Sequence, residues 1–94
     1  MEEVVPIFMV EREFAEQLDP AINDSDEINQ INDEEDVRWL MSFLSADKRR
    51  TYCLYEAGSI EAILLAAERA GLPADVVTEL GNRILPDGSW VAVV

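Results

Sequence analysis

Residues 37–57 read VRWLMSFLSADKRRTYCLYEA, and their pattern decides the fold. Val37, Trp39, Met41 and Phe43 alternate with Arg38, Leu40, Ser42 and Leu44. After a charged turn, Tyr52, Leu54 and Glu56 alternate with Thr51, Cys53 and Tyr55. A period of two, rich in aromatic and branched residues, predicts the two strands of a hairpin. Setting Ser45 opposite Arg50 places Phe43 against Tyr52, Met41 against Leu54 and Trp39 against Glu56. The other face of the hairpin then carries Leu40, Ser42, Leu44, Cys53 and Tyr55, and this set is assigned to covering helices.

Upstream, residues 4–13 predict a strand with Val5, Ile7 and Met9 on one face and Phe8 and Val10 on the other. Both faces are apolar, which suits a central strand. Pro6 lacks a donor but sits near the strand start, where that is tolerated. Asp19-Pro20 has the form of a helix start, with Asp as cap and Pro in the first turn. The helix extends to residue 34 or 35 on a sparse stripe of Leu18, Ile22, Ile28 and Ile31.

Downstream, Ser59 caps a second helix, and Glu61 occupies its favoured first turn. Ile60, Ile63, Leu64 and Ala67 keep helical spacing, and Gly71 with Pro73 stops the helix. Residues 75–84 predict a fourth strand in which Gly81 marks a bulge or the end. Pro86-Asp87-Gly88 is a turn signal. The apolar tail at 90–94 is expected to pair, either at the edge of its own sheet or on a partner subunit.

The order is βαββαβ, an α+β ferredoxin-like arrangement. Residues 1–85 then form one domain, and 86–94 a C-terminal turn and short apolar segment. The expected sheet has four antiparallel strands in the order 4-1-3-2 with both helices on one face. Its second face carries Trp39, Met41, Phe43, Tyr52 and Leu54 with no helix to cover them. A homodimer of the dimeric α/β barrel type would bury this patch, and a small ligand would fit between the two sheets.

Ninety-four residues bound the chain to one small domain. Twenty acidic residues against seven basic ones give a net charge of −13, which argues against nucleic acid and anionic membranes as partners. Three of the seven bases, Lys48, Arg49 and Arg50, crowd into the hairpin turn. Cys53 is the single cysteine, so no internal disulfide forms, and a reducing cytoplasm is the expected location. The start, MEEVVP, has no basic signal-peptide region, and no apolar run approaches a membrane span.

The chain has no histidine, which removes Ser-His-Asp and Cys-His chemistry, and no catalytic residue is assigned. Asp24-Ser25-Asp26 opens like a calcium loop, but Ile28 stands at the next ligand position and no Gly follows. Asp33, Glu34, Glu35 and Asp36 make at most a weak, unspecific site for hard cations. Glu56 and Glu11 lie in strands among apolar residues, where a carboxylate is costly unless paired. Arg12 or Arg38 could pair Glu56 structurally. The candidate cavity and ligand residues are therefore Glu11, Trp39, Met41, Phe43, Tyr52, Leu54 and Glu56, with Glu11 and Glu56 as the candidate metal ligands.

The hairpin stretch resembles a family of small ferredoxin-like nickel-binding proteins, long known only as a domain of unknown function. Phe8-Met9-Val10-Glu11-Arg12, Ala70-Gly71-Leu72-Pro73-Ala74 and Val77-Thr78-Glu79-Leu80 extend the resemblance over residues 7–80. It implies a ferredoxin-like dimer with nickel or another divalent metal as ligand, and no enzymatic activity. Two features depart from it. Histidine, the usual imidazole ligand for nickel, is absent. The acidic first helix, DSDEINQINDEED, and the C-terminal segment are additions. The expected function is a non-enzymatic dimeric binding protein for nickel or another divalent metal. The alternative is a small enzyme of the dimeric ferredoxin-like barrel type, using an inter-sheet cavity with Glu56, Glu11 or Tyr52 as its acid or base.

Overall fold

A computed structural model describes residues 5–18 and 25–93. Its elements are β1 (Ile7–Glu13), α1 (Ser25–Glu34), β2 (Arg38–Leu44), β3 (Arg50–Glu56), α2 (Ile60–Ala70), β4 (Val76–Leu80), β5 (Asn82–Ile84) and β6 (Trp90–Ala92). Strands β1 to β4 form one antiparallel sheet in the order β2-β3-β1-β4. This is the α+β, ferredoxin-like arrangement expected from the pattern. The expected helix start at Asp19-Pro20 and the opening Asp24 of the calcium-like pattern lie outside the described residues.

Alternation in β1 sorts its side chains cleanly. Phe8, Val10 and Arg12 face the helices, and Ile7, Met9 and Glu11 face away. The core lies between the sheet and the helices: Phe8, Val10, Val37, Cys53, Tyr55, Ala57, Ile63 and Ala66 are buried together, with Ile31 of α1 packed against them. Small alanines on α2 let the helix approach the sheet closely, so the aromatic rings of Phe8 and Tyr55 fill the layer. Such close packing makes each buried apolar group count.

Helix α2 carries its own start and stop signals. Ser59 Oγ accepts from the Ala62 N–H at 3.3 Å, an N-cap bond. Gly71 takes φ 69°, and the N–H groups of Gly71 and Leu72 return to Glu68 and Ala67 at 3.1 and 2.9 Å. That pair of bonds is a Schellman motif, and a glycine meets its left-handed requirement without strain. The two helices are tied by Arg69, which reaches Glu34 at 2.7 Å and Glu35 at 2.8 Å. Two of the four carboxylates considered as hard-cation ligands are thus engaged with a guanidinium.

Two elements differ from the sequence reading. The β2–β3 register runs as expected from Leu44 to Met41, with Phe43 opposite Tyr52 and Met41 opposite Leu54. It then shifts between Trp39 and Met41, so Trp39 pairs with Tyr55 and Arg38 with Glu56. Leu40 is the extra residue of a β-bulge, which exchanges the faces of the residues beyond it. Trp39 consequently packs against the core cluster on the helix side instead of standing on the open face. Its indole N–H is satisfied by Ser42 Oγ at 2.8 Å.

The second difference is at Gly81. The fourth strand ends at Leu80 rather than running to residue 84, and Asn82–Ile84 begins a separate two-stranded sheet with Trp90–Ala92. The apolar tail therefore pairs, though with β5 and not with the edge of the main sheet. Its turn is closed by Gly88 at φ 86° and by Asp87, which accepts from the Ser89 N–H and O–H at 2.9 and 2.6 Å. Val94 lies outside the described residues.

Candidate functional site

The registers of the four strands set the open face out in rows. Arg38, Glu56, Ile7 and Leu80 form the first; Met41, Leu54, Met9 and Thr78 the second; Phe43, Tyr52, Glu11 and Val76 the third. The middle row is nearly all apolar. Met41, Phe43 and Val76 are 48%, 55% and 47% exposed, and Tyr52, Leu54 and Met9 are half-buried. Large apolar side chains at neighbouring positions on one face make a contiguous wet patch, of the kind that marks an interaction site.

Of the seven residues singled out from sequence, six share this face: Glu11, Met41, Phe43, Tyr52, Leu54 and Glu56. Trp39 does not, because of the bulge. The two carboxylates are on the face but not together. Glu56 lies beside Ile7 and Glu11 beside Tyr52, so four residues of β1 separate their rows. At about 3.3 Å per residue that is about 13 Å, too far for one ion to bridge.

Glu56 is held by Arg38 at 3.3 Å, one of the two structural pairings anticipated for it. Arg12, the other, faces the opposite side of the sheet. Glu11 is half-buried between Tyr52 and Val76, and its backbone carbonyl accepts from the Asp75 N–H at 3.1 Å. Among the described residues, no group of three or more His, Cys, Asp and Glu side chains is placed to hold a metal. With no imidazole and a single buried thiol, the donors of one chain do not fit a nickel centre.

A second polar constellation lies under the helices. Arg12 is only 4% exposed and Asn32, on α1, only 5%. Arg12 Nη1 donates to Tyr55 Oη at 3.2 Å, and the guanidinium lies 5.5 Å from the centre of the Tyr55 ring. Burial pushes the Tyr55 phenol above its ordinary value, opposed by the neighbouring Arg12 charge. Strict alternation in β1 signals this placement, since Phe8 and Val10 lead to Arg12 on the same face. From composition and pairing alone, Arg12 stands out only as a partner for Glu56.

At the far end of the sheet, the basic turn is spent on internal bonds. Ser45 meets Arg50 as expected, its N–H donating to the Arg50 carbonyl at 2.9 Å. Asp47 Oδ1 accepts from Ser45 Oγ at 2.6 Å and from the Arg49 N–H at 3.1 Å. Those bonds, the Ser45 hydroxyl first, hold the Asp47 carboxyl below the usual carboxylate range. Arg50 pairs with Glu13 at 3.3 Å, and Arg49 donates to the Ala15 carbonyl.

The family model described as Nickel responsive protein SCO4226-like matches residues 8–80. The chain belongs to this family. The match begins in β1 and ends with β4, so the SCO4226-like core is the four-stranded sheet with its two helices, and the β5–β6 hairpin lies outside it. The crystal structure of SCO4226 from Streptomyces coelicolor A3(2) superposes with a TM-score of 0.64. It is 24% identical and covers 79% of this chain and 94% of its own. That likeness supports the fold. No curated protein matches the chain. No helix among the described residues is long and apolar enough to cross a membrane.

Proposed function

We propose that this member of the family is a non-enzymatic binding protein that works as a homodimer, with its two open sheet faces packed against each other. The observation that carries the reading is the half-exposed row of Met41, Leu54 and Met9, bordered by Phe43, Tyr52 and Val76, on a face that neither helix covers. Fully burying a large apolar side chain is favourable by about 1.5–3 kcal/mol, so several such residues together favour a covered face. Two-fold symmetry sets the patch against its own copy, and it also doubles the carboxylates at the seam.

The family description, nickel responsive protein, supports nickel as the ligand, and the reading extends to another divalent metal. Glu11 and Glu56 are the donors this chain offers at that face. Carboxylate oxygens suit harder ions better than nickel, so nickel affinity is weak. Native mass spectrometry of protein purified without a nickel column tests the reading: it predicts a dimer that retains a metal. A retained organic molecule would instead favour the enzyme of the dimeric barrel type. Calorimetric titration of metal-free protein should show no submicromolar nickel site, and a tight stoichiometric one would overturn the weak-affinity assignment.

A further inference from the structure

We infer that Arg12 and Asn32 form a buried site for one monatomic anion of the chloride class, set between α1 and the sheet. The two side chains line one small cavity, walled by Val37, Tyr55, Ile63 and Ala66, with room on the scale of one water-sized occupant. Arg12 Nε and Asn32 Nδ2 are both buried and have no hydrogen-bond partner. Both are donors. The Tyr55 hydroxyl already accepts from Arg12, which leaves its own proton to donate. All three residues line the same cavity.

The charge decides between an ion and a water. Arg12 is a permanently charged group at 4% exposure, and no carboxylate among the described residues pairs with it. A buried charge is costly unless it is paired, and an unpaired buried donor costs the desolvation of that group as well. A water would satisfy the donors but leave the charge uncompensated. An anion does both. The volume excludes an organic carboxylate or a phosphate. The chain's net charge of −13 opposes anion entry. Those carboxylates are largely solvent-borne, however, and are screened beyond about 8 Å at physiological salt.

The test is made on the full chain at constant ionic strength, exchanging chloride for gluconate, which is too large for the cavity. A site that fills only in the folded state lowers the unfolding equilibrium constant about tenfold for each tenfold rise in chloride above its Kd. Asn32→Asp supplies an internal counter-ion, so this variant should be more stable than wild type and indifferent to chloride. Crystals grown in bromide should give an anomalous peak between Arg12 and Asn32. Wild-type stability that does not change on replacing chloride would overturn the proposal. So would a chloride response retained undiminished in Asn32→Asp, or a bromide crystal with water at that point. The bromide crystal needs no variant to fold.

Discussion

Ile63 and Val10 are the largest side chains taken wholly from solvent, at 2% and 0% exposure. Ile63→Ala should cost about 2–5 kcal/mol, because the α2–sheet layer has little freedom to close over the gap. Denaturant unfolding would measure it. Tyr55→Phe removes the oxygen that accepts from Arg12, and the loss of a bond to a charged group predicts about 1.5–3 kcal/mol. Titration gives two further signs. Asp47 has a lowered folded-state pKa, so its stabilising contribution is present above the unfolded value and fades as pH falls through the folded one. Tyr55 has a raised pKa, so its contribution is present below the unfolded phenol value and fades as pH rises through the folded one. Asp47→Asn should therefore flatten the acid limb of the pH–stability curve, and Tyr55→Phe the alkaline limb. An unchanged limb in either variant would refute that assignment.

The β2–β3 hairpin and α2 were legible because their signals are local. The Ser45–Arg50 turn fixes the register next to it, and Ser59 and Gly71 bracket the helix with caps that need no tertiary partner. The Leu40 bulge was not legible. It is set by where the Trp39 ring finds packing, which alternation along one strand does not report. The break at Gly81 was ambiguous for a similar reason: Asn82–Ile84 has strand character whichever partner it takes. As a two-stranded unit the β5–β6 hairpin is marginal by itself, and it leaves Trp90 and Ile84 69% and 65% exposed. Removing residues 89–94 takes away β6 and strands the β5 backbone. Lower solubility or a lower Tm is the expected result, and unchanged melting and oligomeric state would count against a structural role. The two tryptophans also separate the faces. In Trp90→Phe the remaining Trp39 should show blue-shifted emission that acrylamide quenches poorly, because its ring packs on the core.

For the molecule as a whole, the candidate site was readable only as a surface. Alternation placed Met41, Phe43, Tyr52, Leu54, Glu11 and Glu56 on one face. Which carboxylates lie near each other depended on strand registers, and these set Glu11 and Glu56 two rows apart. What remains common to sequence and structure is an apolar sheet face without a cover. A standard interface removes about 800 Å2 per partner, and a four-stranded sheet with three strands of seven residues and one of five spans about 20 Å in each direction, a footprint of about 400 Å2 before side-chain relief is counted. The flat face thus supplies about half the standard area, and the projecting Met41, Phe43 and Tyr52 side chains must supply the rest, with the acidic surface of α1 on the far side of the sheet. Met41→Asp would set like charges in the seam and should give monomer or unfolded protein. The direct measurement is light scattering of the wild-type chain at micromolar concentration. A mass twice the 10.6 kDa of the chain is the predicted result, and a folded monomer of 10.6 kDa would contradict the dimer.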